Sequence, residues 1–568
     1  MAQISYRGNL SSAKFPFSVR HSSRSVIVPT IDNYYDKRID PSGTMQSPGI
    51  PQAIYLENVM PTPDGYKTVG RAVTTEAGLA YKYCNECYVN IAGVGVSRAI
   101  LLSVYSDPTG YTHYVLYNGT AYSVVQPAAP YKLSLYDPSS VSAAVVNSVA
   151  YLYNSVSGGQ QLYTLVISSG VCTLTNVYWS VTPSNFLSST FIRGILNSYN
   201  YLIAYDGTTI YWSSLSNPLD FVSSLVTGAG SIIPNNLYSE IVRCVPTVTG
   251  FNIYTTTEVV SAIYTGNARY PFKFKLIEDS RGLPITSTTL RSGVCGYIPE
   301  TLSSLMNYSA HVYCGADSQI RIISDSQSGI VAQDFIDPLL SSSLIEDVTI
   351  STGYLSLVYS QDATVTAQSS HYYSTRVIPV REVLDRYICI SHGAYWSSET
   401  TSHDKHLVYT YLSVYDKLIK RWGRLKIPHR NVIQDINTVK LLYSNVSGAM
   451  TITELEFNSD ISDSTNSTGK IIFGRFQYVR GKNLILQSSN FEMNNLDSDG
   501  SYVSPEVQAI PSLNGKDFGT PKVLATGVSN KDIYEGWCEV EGTNVSVSIS
   551  GSFNLVTIGL IFNPGGTF

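Results

Sequence analysis

Charge is what this chain has least of. Only 14% of its 568 residues are Asp, Glu, Lys or Arg, and they leave a formal net charge of −5. That deficit argues against a nucleic-acid binder working by bulk positive charge, though not against DNA passing through a pore that does not grip it. Cysteine is sparse too. The residues at 84, 87, 172, 244, 295, 314, 389 and 538 follow no disulfide framework and read as buried free thiols of a reducing compartment. No apolar run reaches the length of a membrane span; Val89 to Val104 comes nearest, and Arg98 interrupts it. The first twenty residues hold no continuous apolar core, so no secretory signal is expected. GxSxG, HExxH, P-loop and dinucleotide fingerprints are all missing. We assign no catalytic residue and no cofactor.

What is abundant is tyrosine, with 43 Tyr against 17 Phe, accompanied by much Ser, Thr and Val. These residues favour pleated, half-buried surfaces, so the chain reads as all-β. The segment Tyr199 to Phe221 shows the unit. Tyr201 to Tyr205 is a β-prone run, Asp206-Gly207 a turn signal in which Gly supplies positive φ, and Thr208 to Trp212 a second run; Ser216-Asn217-Pro218 ends it. Similar hairpins turn at Gly119, Gly159, Gly207, Thr256 and Gly315, so their spacings are 40, 48, 49 and 59 residues. A further unit runs through Tyr387 to Ser391, Leu407 to Tyr415 and Leu418 to Leu425. Periods near 40–50 residues per four-stranded unit are the mark of a β-propeller; a run of hairpins in stacked sandwiches is the alternative.

Three regions follow. Residues 1–80 are Pro-rich and read as an N-terminal extended arm lying along another surface. Residues 81–430 form the propeller-like body, with Trp212 and Trp422 expected between strands of different blades. Residues 431–568 close the chain with alternating strands and read as a β-sandwich. One short helix is expected over Asp334 to Val348, where apolar residues recur three and four apart.

Few residues are placed to carry chemistry. Cys84 and Cys87 form a CxxC, but tetrahedral zinc needs two further ligands and no second pair is suitably spaced, so they read as structural thiols. His403, Asp404 and His406 sit in a Ser/Thr-rich loop and read as solvated rather than metal-binding; no metal is assigned. The densest basic run is Lys417, Lys420, Arg421, Arg424, Lys426, His429 and Arg430. On a strand, Lys420, Trp422, Arg424 and Lys426 share one face, with Arg421 and Leu425 on the other. The run is a candidate contact for DNA phosphate or an acidic partner, set against an ordinary outer strand.

The phrases NVMPTPDGY (58–66), YLIAYDGTTIYWSSLSNPLDF (201–221), GFNIYTTTEVVSAIYTGN (250–267), SRGLP (280–284) and LSVYDKLIKRWGRLKIP (412–428) come in an order that resembles the tail hub, or nozzle, proteins of short-tailed bacteriophages. The resemblance spans roughly residues 50 to 430 and rests on turns and aromatics. It implies a propeller body with added β domains and a homo-hexameric ring in the virion, made in the bacterial cytoplasm. It also implies contact with the head-to-tail adaptor ring, with tail fibres or spikes, and with phage DNA in the channel. The family has no catalytic residues to carry over. A receptor- or glycan-binding propeller and a polysaccharide hydrolase stand as alternatives.

Overall fold

The computed structural model describes residues 4–9, 18–21, 53–63, 65–69, 81–106, 110–127, 141–154, 162–177, 192–283, 310–317, 320–324, 328–332, 344–351, 354–360, 379–384, 386–396, 407–419, 421–435, 438–444, 450–455, 457, 469–476, 484–493, 505–512, 521–525, 533–542 and 544–564. Among them the chain is all-β, with no helix.

From Tyr81 onward the chain folds as successive antiparallel meanders. The first comprises Tyr81–Ile91, Gly95–Ser106, Gly110–Tyr117 and Thr120–Val125. The second comprises Val141–Val146, Val149–Asn154, Leu162–Ser168 and Val171–Val177. The third runs through Gly194–Ser198, Tyr201–Tyr205, Ile210–Trp212 and Gly230–Ile232. The fourth runs through Ile241–Pro246, Gly250–Thr255, Val259–Tyr264 and Phe272–Leu276. The fifth has Ala310–Cys314, Ile320–Ser324 and Ser328–Ala332, and takes its fourth strand, Ser18–His21, from the beginning of the chain. A sixth has Val380–Val383, Tyr387–Trp396, Leu407–Asp416 and Arg421–Asp435.

The turns explain why these runs fold locally. Asn118-Gly119 and Asn147-Ser148 both hold positive φ, the geometry that matches hairpin twist. The Asp206 turn works differently from its sequence signature. Gly207 does not take positive φ; instead Asp206 Oδ1 accepts the backbone N–H groups of Thr208 and Thr209, each at 2.7 Å, and Oδ2 accepts the Tyr211 hydroxyl at 2.9 Å. Gly207 matters for space, because a Cβ there would meet the Arg193 guanidinium at 3.2 Å.

Apolar residues alternate to both faces, so each meander is covered on both sides. The third and fourth interleave Tyr201, Ile203 and Trp212 with Phe251, Ile253 and Phe272. Tyr254 and Val259 of the fourth pack against Tyr313 and Ile323 of the fifth. Ile433 of the sixth packs on Ile100, Leu102 and Leu116 of the first. Trp212 thus lies between strands of two different meanders, whereas Trp422 packs on Tyr415 of its own sheet at a centroid distance of 5.0 Å.

The first two meanders do more than pack. Parallel pairing of Val166 and Ile167 with Asn90 and Ile91, and of Cys172 and Thr173 with Val124 and Val125, closes six strands into a barrel. Its interior holds Cys87, Val89, Leu101, Val115, Leu165, Cys172 and Leu174. Asn90 ties the closure: its Nδ2 donates to Leu165 O at 3.0 Å, and its Oδ1 accepts from Ala150 N at 2.9 Å.

Two expectations are corrected. The helix over 334–348 is not formed where it can be seen: Leu344–Ser351 is a strand paired with Tyr354–Ser360, and residues 334–343 lie outside the described residues. The periodic apolar spacing there also suits a strand with one bulge, which falls between Ile345 and Asp347. The surface beside the Pro-Asp-Gly phrase is the chain's own sheet, and the phrase is part of a hairpin rather than an extended run. Val59–Pro61 and Tyr66–Thr68 form a hairpin inserted between Arg421–Asp435 and Asn554–Pro564 of the chain's own sheet. That sheet continues through Leu484–Met493 to Ile533–Gly542, and a five-stranded sheet of Ala53–Glu57, Gly469–Phe476, Asn544–Gly551, Glu506–Ser512 and Lys522–Ala525 lies beside it in sequence. Arg421–Asp435 runs unbroken across residue 430.

Candidate functional site

The basic run lies on the last strand of the sixth meander and on the turn before it. Cross-strand register builds a grid on one face: Ile388, Tyr415 and Trp422 in one row, Ile390, Ser413 and Arg424 in the next, then Tyr411 beside Lys426 and His392. Leu425 points the other way, into a cluster with Cys389, Leu412 and Val414, so the alternation read from the sequence holds at these positions.

Among the described residues, two cations of the run are spent inside the fold. Lys417 is buried and ion-paired to Glu382. Arg424 is buried; its Nε donates to Leu56 O, and its guanidinium sits 4.7 Å from the Tyr411 ring centroid. Lys426 is half-buried, with its ammonium 3.8 Å from Glu57. Arg430 is half-buried on the same strand. Arg421 lies in the strand, without a described side chain, and Lys420 lies outside the described residues. Lys417 and Arg424 are therefore not available to a phosphate or an acidic partner. The sequence run looked like a patch because spacing along a strand does not reveal which face is covered.

Around Arg424 the sheet holds polar couples that sequence reading missed. His392 Nε2 and Ser413 Oγ are 2.8 Å apart on one face, and His429 Nε2 and Ser391 Oγ are 2.8 Å apart on the other. Burial holds the His392 imidazole well below its ordinary pKa, with the nearby Arg424 charge adding to the effect. Burial pushes His429 down to about 4, partly offset by its hydrogen bond with Ile427 O. A serine beside an imidazole is the pairing of a nucleophile and its base. Here both couples are at most 3% exposed, so they have no route to a substrate and act as cross-strand hydrogen bonds between neutral groups. Each couple joins residues 21 or 38 positions apart, and only the strand register brings them together.

The other candidates resolve simply. Cys87 faces the barrel interior beside Cys172, and burial raises both thiols, Cys172 to about 12, so neither is a thiolate at neutral pH. Cys84 lies in the same strand. His403, Asp404 and His406 lie outside the described residues. Among the described residues no group of three His, Cys, Asp or Glu side chains is placed to hold a metal ion. No described helix is long and apolar enough to cross a membrane.

No family model matches the chain, and no curated protein does. Solved structures give only loose likenesses. One is BBS1N in complex with ARL6DN, at 10% identity and a TM-score of 0.32, covering 69% of this chain and 99% of that one. Another is the β-fructofuranosidase of Schwanniomyces occidentalis, at 10% identity and a TM-score of 0.25, covering 89% and 99%. A third is the extracellular domain of the hybrid two component system BT4673 of B. thetaiotaomicron, at 12% identity and a TM-score of 0.20, covering 72% and 71%. At these scores the likenesses carry no argument about fold or function.

Proposed function

We propose that this chain is a structural, non-enzymatic subunit of a short-tailed phage tail: a hub or nozzle protein with a propeller-like body. In this reading six copies form a ring below the head-to-tail adaptor, extend the DNA channel and anchor fibres or spikes in the virion. The observation that supports it most is the internal use of charge. Lys417, Arg424 and Arg386 are each engaged within the fold, by Glu382, by Leu56 O and the Tyr411 ring, and by Asp416 respectively. A channel wall rich in free Lys and Arg would hold DNA through counterion release, whereas ejection requires a wall that guides without gripping. The sewing of distant strands into one sheet supports the rigidity a ring subunit needs, and the ordered phrases resemble those of the tail-hub family.

The test is reconstitution. Purified chain is added to adaptor-bearing heads, and the product is imaged by electron microscopy. The expected result is a six-fold ring at the portal vertex that keeps the genome inside. A chain that stays unattached to such heads, and instead cleaves a surface polysaccharide, would overturn the proposal in favour of a hydrolase.

A further inference from the structure

The join between the fourth and fifth meanders is polar along one row. In the fourth sheet Val245 lies beside Asn252 and Asn252 beside Ser261, a register that puts all three on one face. Tyr254 and Val259 share that face and pack on Tyr313 and Ile323, so it is the face turned to the fifth meander. In the fifth sheet His311 lies beside Ile323 and Ile323 beside Ser328, so these three face back toward the fourth.

One end of the row is satisfied by the protein itself. His311 Nε2 lies 3.0 Å from Pro246 O, which can only accept. In the neutral imidazole Nε2 therefore carries the proton, and Nδ1 accepts from the Tyr254 hydroxyl at 2.8 Å.

The middle of the row is different. Asn252 is 1% exposed, Ser261 0% and Ser328 4%. Yet Asn252 Oδ1, Ser261 Oγ and Ser328 Oγ have no hydrogen-bond partner among the described residues. Buried polar atoms are nearly always bonded, and one that gives up water without a replacement destabilises the fold. A single such atom would be a local defect. Three on the two facing walls of one join make a site.

We infer that ordered water is built into this join, bridging Asn252 and Ser261 of the fourth meander to Ser328 of the fifth. The chemistry selects the occupant. Asn252 Oδ1 needs a donor, and each serine hydroxyl both donates and accepts, so water, which does both, suits all three. A bound cation would want a carboxylate, and among the described residues that row carries none. The Arg243 charge, which already bears on His311, would oppose a cation further. An anion would need a buried positive partner, whereas Lys275, beside Ser261 in the row, is exposed. A larger solute has no way in, because the three residues are nearly fully buried beside Val259 and Ile323, which are both 0% exposed. The inference concerns one join within the chain and does not rest on the tail reading.

Two measurements on the full chain test it. In a high-resolution crystal structure, ordered water should lie about 2.7–3.2 Å from Asn252 Oδ1 and Ser261 Oγ and connect to Ser328 Oγ. A protein group in that place, a direct bond from Ser261 to Asn252, or dry contact between the walls would overturn the inference. Thermal melting gives the second test through its sign. Removing a buried hydroxyl that has no partner should raise the melting temperature, whereas removing one bonded to lodged water should lower it. Ser261→Ala and Ser328→Ala should each lower it by about 2–4 °C. The double variant should lose less than the two shifts added, because either loss already breaks the shared network. A melting temperature unchanged or raised by either substitution, or shifts that add in full, would also overturn the inference.

Discussion

Between the first and second meanders the join includes backbone pairing, at Val166 and Ile167 with Asn90 and Ile91 and at Cys172 and Thr173 with Val124 and Val125, around a shared apolar interior. Between the third and fourth it is made of interleaved side chains, with Trp212, Tyr201, Phe251 and Phe272 at its centre. The difference is one of specificity. A join that includes backbone pairing fixes register at its two short parallel pairings and does not rest on any one side chain alone. A face-packed join has no register of its own, so a few large side chains carry it and their loss leaves a void.

The packed join is where a single substitution should cost most. Trp212→Ala removes the largest ring of that interface and its bond to Gly228 O, and should cost about 3–5 kcal/mol in chemical denaturation. A loss under about 1 kcal/mol would mean that the two sheets do not depend on each other.

Acid should weaken the next packed join. His311 bridges the fourth and fifth meanders, with Nδ1 2.8 Å from the Tyr254 hydroxyl and Nε2 3.0 Å from Pro246 O. Burial lowers its pKa from 6.5 to about 4. The unfolded chain therefore takes up a proton first, and the stability His311 contributes is complete above pH 6.5 and lost as pH falls toward 4. The loss should be on the order of 3 kcal/mol. Melting temperature measured from pH 7 down to pH 4 should fall less steeply in His311→Gln than in the wild type.

The barrel should be more forgiving. Asn90→Ala leaves Ala150 N–H without its side-chain acceptor but keeps the parallel backbone pairs, so the expected cost is about 1–3 kcal/mol. If Asn90→Ala costs more than Trp212→Ala, the contrast between the two joins is wrong. A smaller effect is expected at the Asp206 turn. Asp206→Asn keeps an acceptor for the Thr208 and Thr209 N–H groups but weakens charge-assisted bonds, costing about 1 kcal/mol in the same assay.

The hairpins were legible because each is local: Tyr201–Tyr205 with Ile210–Trp212, and Phe251 to Tyr254 with Val259–Tyr264, are fixed by residues within a dozen positions. Their phase was less legible. The Asn118-Gly119 turn joins the third and fourth strands of its meander, whereas the Asp206 and Thr256 turns join second to third. The first spacing in the repeat thus compared unlike turns. The barrel closure was invisible, since parallel pairs at Asn90 and Val166 leave no periodic trace. The basic run failed for a related reason. Alternation told which residues share a face with Trp422, but the Glu382 that takes up Lys417 sits 35 positions away.

The hairpin of Val59–Pro61 and Tyr66–Thr68 has a bearing on how the protein is made. Its partners are Arg424 on one side and Asn554 and Leu555 on the other. A ribosome releasing about 5–20 residues per second would expose the hairpin's edge for roughly 25–100 seconds before its last partner emerged. Through that interval the nascent chain carries an open strand edge, which is a template for pairing with a neighbouring chain. Crowded polysomes, and any stop that truncates the final strand, are thus the conditions under which this protein should aggregate rather than fold.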